Sequence, residues 1–291
     1  MVFSWLNHVN QEYFRVPMLL FPHAKINLGL NVLRKRIDGF HDIETVMVPI
    51  PLTDALEVTR EGSVPNGEVD YHRTGSEIPG SKEEDLCVKA FRAISGIGIL
   101  PGIRMHLHKA IPLGGGLGGG SSDGALALSI INTVTGAGLT DEQLAELATG
   151  LGSDCPFFLR QGVQLSTGRG EVLRPIGLDL AGLWLLLVNP GIQVSTAEVY
   201  KHTHPSGRSI DLERALINHP LEEWRSLASN MMEEYATVRY PVIGAALKRM
   251  EELGAPHFAM SGSGATVFGL FRECPQKTNW PTDHRTWLMQ L

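Results

Sequence analysis

The stretch Pro112-Leu113-Gly114-Gly115-Gly116-Leu117-Gly118-Gly119-Gly120-Ser121-Ser122-Asp123 decides how the rest of this 291-residue sequence reads. Ahead of it Ile103, Met105 and Leu107 alternate with Arg104, His106 and His108, the period of a one-sided strand. Behind it Ala125 to Val134 is apolar almost all round, which predicts a buried helix. Six glycines between a strand and a helix leave backbone N–H groups unobstructed by Cβ atoms. The helix start adds unpaired donors and about half a positive charge. A segment of this kind is a phosphate cradle. Ser121-Ser122-Asp123 supplies an N-cap, which tells against a flexible glycine linker. A dinucleotide-binding fold would want a buried parallel strand before the glycines and another soon after the helix; here the strand is half polar and Thr140 to Leu151 is a second helix. A Walker A loop needs Gly-Lys-Ser/Thr, and Gly120 is followed by Ser121.

The composition narrows the partners. Lys and Arg total 25 against 31 Asp and Glu, a net charge of −6, and no dense basic surface is present to hold nucleic acid. Arg34-Lys35-Arg36 reads as a solvated turn. Hydrophobic residues at 43% and charged ones at 19% describe a soluble globular chain. Glycine, at about 11%, exceeds the usual fraction of about 7%. Cys87, Cys155 and Cys274 are far apart and suit a reducing compartment, so a cytoplasmic location is expected, with neither a disulfide framework nor a zinc site. The longest apolar run, Leu180 to Val188, is far shorter than the roughly 20 residues a membrane span needs. Residues 1–17 lack the pattern of a secretory signal and read as an extension ahead of Met18.

Working outward, Ala24, Ile26, Leu28, Leu30 and Val32 alternate with Lys25, Asn27, Gly29 and Asn31, which predicts a half-buried strand with Lys25 and Asn27 on its polar face. Asp38-Gly39 marks a turn before a second apolar stretch, Ile43 to Leu56. Residues 61–82 look like a loop or a weak hairpin, and Leu86 to Ile99 reads as a helix. Thr140 with Gln143 forms a capping box. Gly168, Gly170 and Pro175 suggest a hinge between two lobes. Leu183–Val188 reads as a buried strand, residues 221–235 and 241–253 as helices, and Phe258 to Phe268 as strand, tight glycine turn, strand. One-sided strands and helices in runs favour α+β.

Five segments, in order, resemble the GHMP kinases, the family of galactokinase and of homoserine, mevalonate and phosphomevalonate kinases. They are Ala24-Lys25-Ile26-Asn27-Leu28; Asp38-Gly39-Phe40-His41; the glycine loop; Gly152-Ser153-Asp154-Cys155-Pro156-Phe157-Phe158; and Ser261-Gly262-Ser263-Gly264-Ala265. The likeness spans about Met18 to Phe271. It implies a two-lobed α+β fold: an N-terminal lobe of ribosomal-protein-S5-like type over 18–168 and a C-terminal ferredoxin-like lobe over 169–291. The long-glycine variant is similar to the branch that phosphorylates an erythritol bearing a cytidine diphosphate, in non-mevalonate isoprenoid precursor biosynthesis. A kinase for homoserine or mevalonate, or a non-catalytic nucleotide binder, are the rival readings. The family usually carries Asn where this chain has Asp85 and Asp123, and often Tyr where it has Phe40.

The resemblance implies roles for particular residues. Asp154 is the candidate base, and Lys25 the ammonium that keeps it ionised and offsets developing charge; taken alone, each would pass for an ordinary surface charge. ATP would be held by Pro112, Gly114, Gly115, Gly116, Leu117, Gly118, Gly119, Gly120, Ser121 and Ser122, with Lys109 adding charge ahead of the loop. Magnesium would bridge phosphate oxygens, largely on water and substrate ligands, with Ser121 and Ser122 divided between that ion and an N-cap role. No dedicated metal ligands are assigned. For the acceptor, Phe40 and Tyr200 would sandwich cytosine, His41 would read its edge, and Asn27 and Thr196 would hold polar groups. The acceptor is a small molecule, with neither nucleic acid nor membrane as partner, and the protein a monomer or weak homodimer.

Overall fold

The computed structural model describes residues 17–276 and 279–291. The extension expected over residues 1–17 lies, up to Val16, outside the described residues. Along the chain come β1 (Met18–Leu20), β2 (His23–Lys35), β3 (His41–Thr53), β4 (Ala55–Arg60), β5 (Val69–Gly75), α1 (Leu86–Ser95) and β6 (Ile103–Lys109). After the glycine loop follow α2 (Gly119–Thr135), α3 (Asp141–Leu151), a 3₁₀ turn (Cys155–Leu159), β7 (Gln164–Thr167), β8 (Val172–Pro175) and β9 (Trp184–Asn189). The remainder comprises α4 (Thr196–His202), α5 (Leu212–Ile217), α6 (Trp224–Leu227), α7 (Glu233–Arg239), α8 (Pro241–Glu252), β10 (His257–Met260), β11 (Val267–Phe271) and β12 (Arg285–Gln290). The class is α+β, as expected.

The chain forms two compact units, and each is discontinuous in sequence. One gathers the described chain up to His23 with Leu52–Ile111 and Gly119–Arg160; the other holds Ala24–Pro51, Pro112–Gly118 and Gln161–Leu291. The first carries a four-stranded sheet in the order β1-β4-β6-β5, antiparallel except for the parallel pair β5–β6. β6 alternates as its sequence requires, with Ile103, Met105, Leu107 and also Lys109 buried. β5 falls where a loop or a weak hairpin was expected, its signal weak because only Tyr71 of its residues is buried. Helix α2 is buried along most of its length, and Gly124 lets it approach α1: a Cβ there would lie 2.7 Å from Leu86 Cβ. The Thr140–Gln143 capping box is present in full at the start of α3.

The second unit has two four-stranded sheets, β10-β11-β9-β12 and β2-β3-β7-β8. Its core joins Leu30, Val32 and Ile43 to Leu186, Val188, Ile243, Leu247 and Met250. Three expectations change here. β2 is buried on both faces from Ala24 to Val32, so Lys25 and Asn27 are interior, not on a wet face. Its second face is covered where Leu212 and Ala228 lie against Gly29; a Cβ there would meet Leu212 Cδ2 at 2.6 Å. Gly168, Gly170 and Pro175, where a hinge was expected, lie in the β7–β8 hairpin, whose paired positions include Gln164 with Pro175. The helix expected over 221–235 breaks at Ala228, because Ser229–Met231 run beside β2: Leu30 donates to the Ser229 carbonyl, and Met231 to that of Leu30.

His257 on β10 is fully buried between Trp224 and Phe268, and neither ring nitrogen has a hydrogen-bond partner. Burial, with Arg225 adding to it, pushes its imidazole down to about 3. The folded protein therefore excludes a proton that the unfolded chain takes up below its ordinary value of about 6.5, so this contribution to stability is complete above that pH and is lost as pH falls beneath it. His257→Phe should flatten the acid limb of stability between about pH 4 and 6.5 in urea melts, and a limb as steep as the parent's would refute this account.

Candidate active site

The glycine loop is held by backbone. Gly116 has φ +73°, and a Cβ on it would lie 1.9 Å from the Ser261 carbonyl oxygen. No other residue fits there. Ser261 Oγ donates to the Gly116 carbonyl at 2.9 Å, Thr266 N–H to that of Gly115 at 3.2 Å, and Lys25 N–H to that of Leu117 at 2.9 Å. Pro112, Gly115 and Leu117 are buried, Gly114 is exposed, and Gly116 and Gly118 lie between them. Carbonyls face the protein at three points, and the loop's amides are the groups left for a ligand.

Helix α2 starts at Gly119, ahead of the N-cap expected within Ser121-Ser122-Asp123, so Ser121 and Ser122 sit within its first turn and are not the N-cap. Ser122 Oγ is buried without a hydrogen-bond partner. Ser121 lies beside Cys155, whose thiol burial pushes up to about 11 while the Ser121 side chain opposes the shift. The helix start and the Asp154 loop are thus neighbours in one unit. Asp154 precedes the 3₁₀ turn Cys155–Leu159, and its carboxylate makes no capping bond to that turn.

Lys109, expected to add charge ahead of the loop, is held by two carboxylates: its ammonium, 2% exposed, donates to Asp54 Oδ2 at 2.5 Å and to Asp123 Oδ2 at 2.6 Å. The reason is strand period: Lys109 follows Leu107 on the buried face of β6 and must be paired there. Asp54 Oδ1 also accepts from the N–H groups of Ala110 and Ile111. A Cβ on Gly119 would lie 2.9 Å from Lys109 Nζ. Burial drives the Asp123 carboxyl well above its usual range, against the pull of Lys109. Burial disfavours the charged ammonium, but Asp123 and Asp54 outweigh it and raise Lys109. Asp85, the other departure from the family, caps α1 by accepting from Cys87 N–H and lies 3.5 Å from Arg73.

In the second unit Lys25 Nζ donates to Asn27 Oδ1 at 2.6 Å, Asn27 Nδ2 to Thr45 Oγ1 at 3.0 Å, and Thr45 Oγ1 to the Gly29 carbonyl. Asn27 Oδ1 abuts Gly262, and the Ser263 and Thr196 hydroxyls are bonded at 2.8 Å. One turn further along α4, Tyr200 stacks on His41 with centroids 5.1 Å apart. Phe40 is half exposed and is covered by the Arg169 guanidinium at 4.8 Å. It is His41, not Phe40, that lies against Tyr200. Burial, with Lys35 adding to it, lowers the His41 imidazole, so its neutral form offers one donor and one acceptor. The sequence reading missed Asp54 and Arg169, and also Asn189, whose amide donates to Thr266 Oγ1.

Residues 85–162 match the family model for the GHMP kinases N terminal domain, and residues 212–277 that for the GHMP kinases C terminal. The chain belongs to the GHMP kinase family. Among curated relatives it is similar to the 4-diphosphocytidyl-2-C-methyl-D-erythritol kinase of Parabacteroides distasonis, 41% identical over 88% of this chain and 92% of that protein. The enzyme of that name from Bacteroides thetaiotaomicron is 40% identical over 92% and 97%. A crystal structure of 4-(cytidine 5'-diphospho)-2C-methyl-D-erythritol kinase superposes with TM-score 0.70 at 33% identity, covering 87% of this chain and 90% of that one. A homoserine kinase from Cytophaga hutchinsonii, TM-score 0.68 at 16% identity, shares the fold.

Removing the Lys109 ammonium strands two buried carboxylates. Lys109→Met should lower stability by about 3–5 kcal/mol in chemical melts. An unchanged midpoint with ATP binding lost would return Lys109 to the phosphates.

Proposed function

We propose that the protein is an ATP-dependent kinase that phosphorylates the 2-hydroxyl of 4-diphosphocytidyl-2-C-methyl-D-erythritol and releases ADP. The observation that carries this reading is the glycine loop fastened through its carbonyls to the Ser261–Thr266 turn, in a chain about 40% identical to kinases of that name. The loop amides of residues 114–120 would bind the β- and γ-phosphates. Asp154 would take the proton of the acceptor hydroxyl as its oxygen attacks the γ-phosphorus and the bond to the β-phosphate oxygen breaks. Lys25 would offset the negative charge that develops. His41 and Tyr200, with Phe40, would receive the cytosine, and Asn27 and Thr196 polar groups of the acceptor.

Among the described residues no three His, Cys, Asp or Glu side chains gather as metal ligands. Ser122 Oγ, buried and unpartnered, fits a magnesium ion carried mainly by phosphate oxygens and water, and Ser122 with Ser121 would hold it. Such an ion would neutralise charge on the phosphate oxygens. We place the boundary of the two family lobes at 168/169, between the matched segments 85–162 and 212–277. Among the described residues no helix is long and apolar enough to cross a membrane. A cytoplasmic monomer or weak homodimer, without nucleic-acid or membrane partners, is the working form of this proposal.

Asp154→Asn should reduce kcat by at least about a hundredfold while ATP still binds, measured by coupled ADP release and by calorimetry; near-parental turnover would remove Asp154 as base. Phe40→Ala should raise KM for the cytidine substrate by roughly tenfold with KM for ATP unmoved, on the scale of a lost base–aromatic stack. Turnover of homoserine or mevalonate in preference to the cytidine substrate would favour the rival kinases.

A further inference from the structure

Asn230 sits where the expected 221–235 helix breaks, 2% exposed, with its backbone bridged to Leu30 of β2. Both amide hydrogens are used: Asn230 Nδ2 donates to the carbonyls of Met260 at 2.8 Å and Gly262 at 2.7 Å. Its Oδ1 accepts from Met232 N–H at 3.0 Å. Glu233, one turn on, accepts the Met260 N–H at 2.8 Å. Residues 230–233 therefore hold both sides of the chain entering the Ser261–Gly264 turn.

That turn is what the glycine loop rests on. Ser261 bonds the Gly116 carbonyl through its hydroxyl, and its own carbonyl oxygen occupies the space a side chain at 116 would need. A Cβ on Gly262 would lie 3.3 Å from the Gly116 oxygen. With Gly115 tied to Thr266 as well, any shift of residues 260–262 is passed to residues 115–116. A side-chain amide gives two N–H groups to two carbonyls from one site without bringing a charge; a carboxylate of the same shape would turn oxygen on both.

We propose that Asn230 is a positioning residue for the triphosphate: it sets the 260–262 turn and thereby the aim of the loop amides at the β- and γ-phosphates. The inference rests on the reading that residues 114–120 bind those phosphates. It separates Asn230 from general packing, because a residue acting through the loop affects only ligands that reach the loop.

The test compares ATP with AMP, which ends at the α-phosphate, by calorimetry on the parent protein and on Asn230→Asp, Asn230→Ala and Ser261→Ala. For Asn230→Asp we expect ATP to bind roughly tenfold or more weakly, as for a buried hydrogen bond replaced by repulsion, with AMP affinity unchanged. kcat should fall. Ser261→Ala, which removes only the hydroxyl on Gly116, should move the ATP-to-AMP ratio in the same direction by less, and decides the matter if the Asn230 variants do not fold. An ATP-to-AMP ratio unchanged in the folded variants, or equal losses for both nucleotides, overturns the proposal. A parent protein that binds ATP no better than AMP would instead overturn the phosphate role of the loop itself.

Discussion

A glycine at position 116 and the backbone of Ser261 share a space that admits no side chain, and the second unit is organised around that contact. Once the Gly116 carbonyl is committed to the Ser261 hydroxyl, and the Gly115 and Leu117 carbonyls to Thr266 and Lys25 N–H groups, the loop has few conformations left. A loop of six glycines would otherwise be the most costly segment in the chain to order. Neighbouring backbone supplies the order that side chains of the loop itself cannot.

The first unit solves a related problem with charge. Lys109, Asp54 and Asp123 enclose the chain on either side of the loop: Asp54 takes the amides of Ala110 and Ile111 just before it, and Asp123 stands near the start of α2 just after it. Two carboxylates around one ammonium would leave a net negative charge in the interior. The upward push on the Asp123 carboxyl is the expected response, since a proton held there brings the group to neutrality. The two Asp residues that depart from the family pattern are each matched by a cation, Asp123 by Lys109 and Asp85 by Arg73.

Much of this was legible in the sequence, for local reasons. Alternation gave β6, the apolar run gave α2, and the Thr140–Gln143 pair gave the start of α3, because in each case the signal and its cause lie within one element. The misreadings share a non-local cause. Lys25 and Asn27 look like the wet face of a strand until Leu212 and Ala228, some 190 residues away, close over it. Helix propensity runs through Ala228, but β2 has an open edge at Leu30 and takes Ser229–Met231 onto it. Lys109 is the exception. The same alternation that buries Ile103, Met105 and Leu107 puts residue 109 on the buried face, and a buried lysine requires carboxylates; Asp123 was already in view.

The polar groups inside the second unit follow from what an interior strand must do with buried donors and acceptors. Lys25, Asn27 and Thr45 form a chain of donors and acceptors that ends on the Gly29 carbonyl, which leaves the Asn27 amide and the Thr45 hydroxyl without freedom to rotate. Burying an ammonium disfavours its charge, and a short bond to Asn27 Oδ1 recovers part of that cost while fixing where the ammonium lies. An apolar residue in its place would pack at lower cost. A lysine retained in the interior, beside the contact between Asn27 and Gly262, therefore accords with the proposed role of its charge better than with a contribution to the stability of the fold.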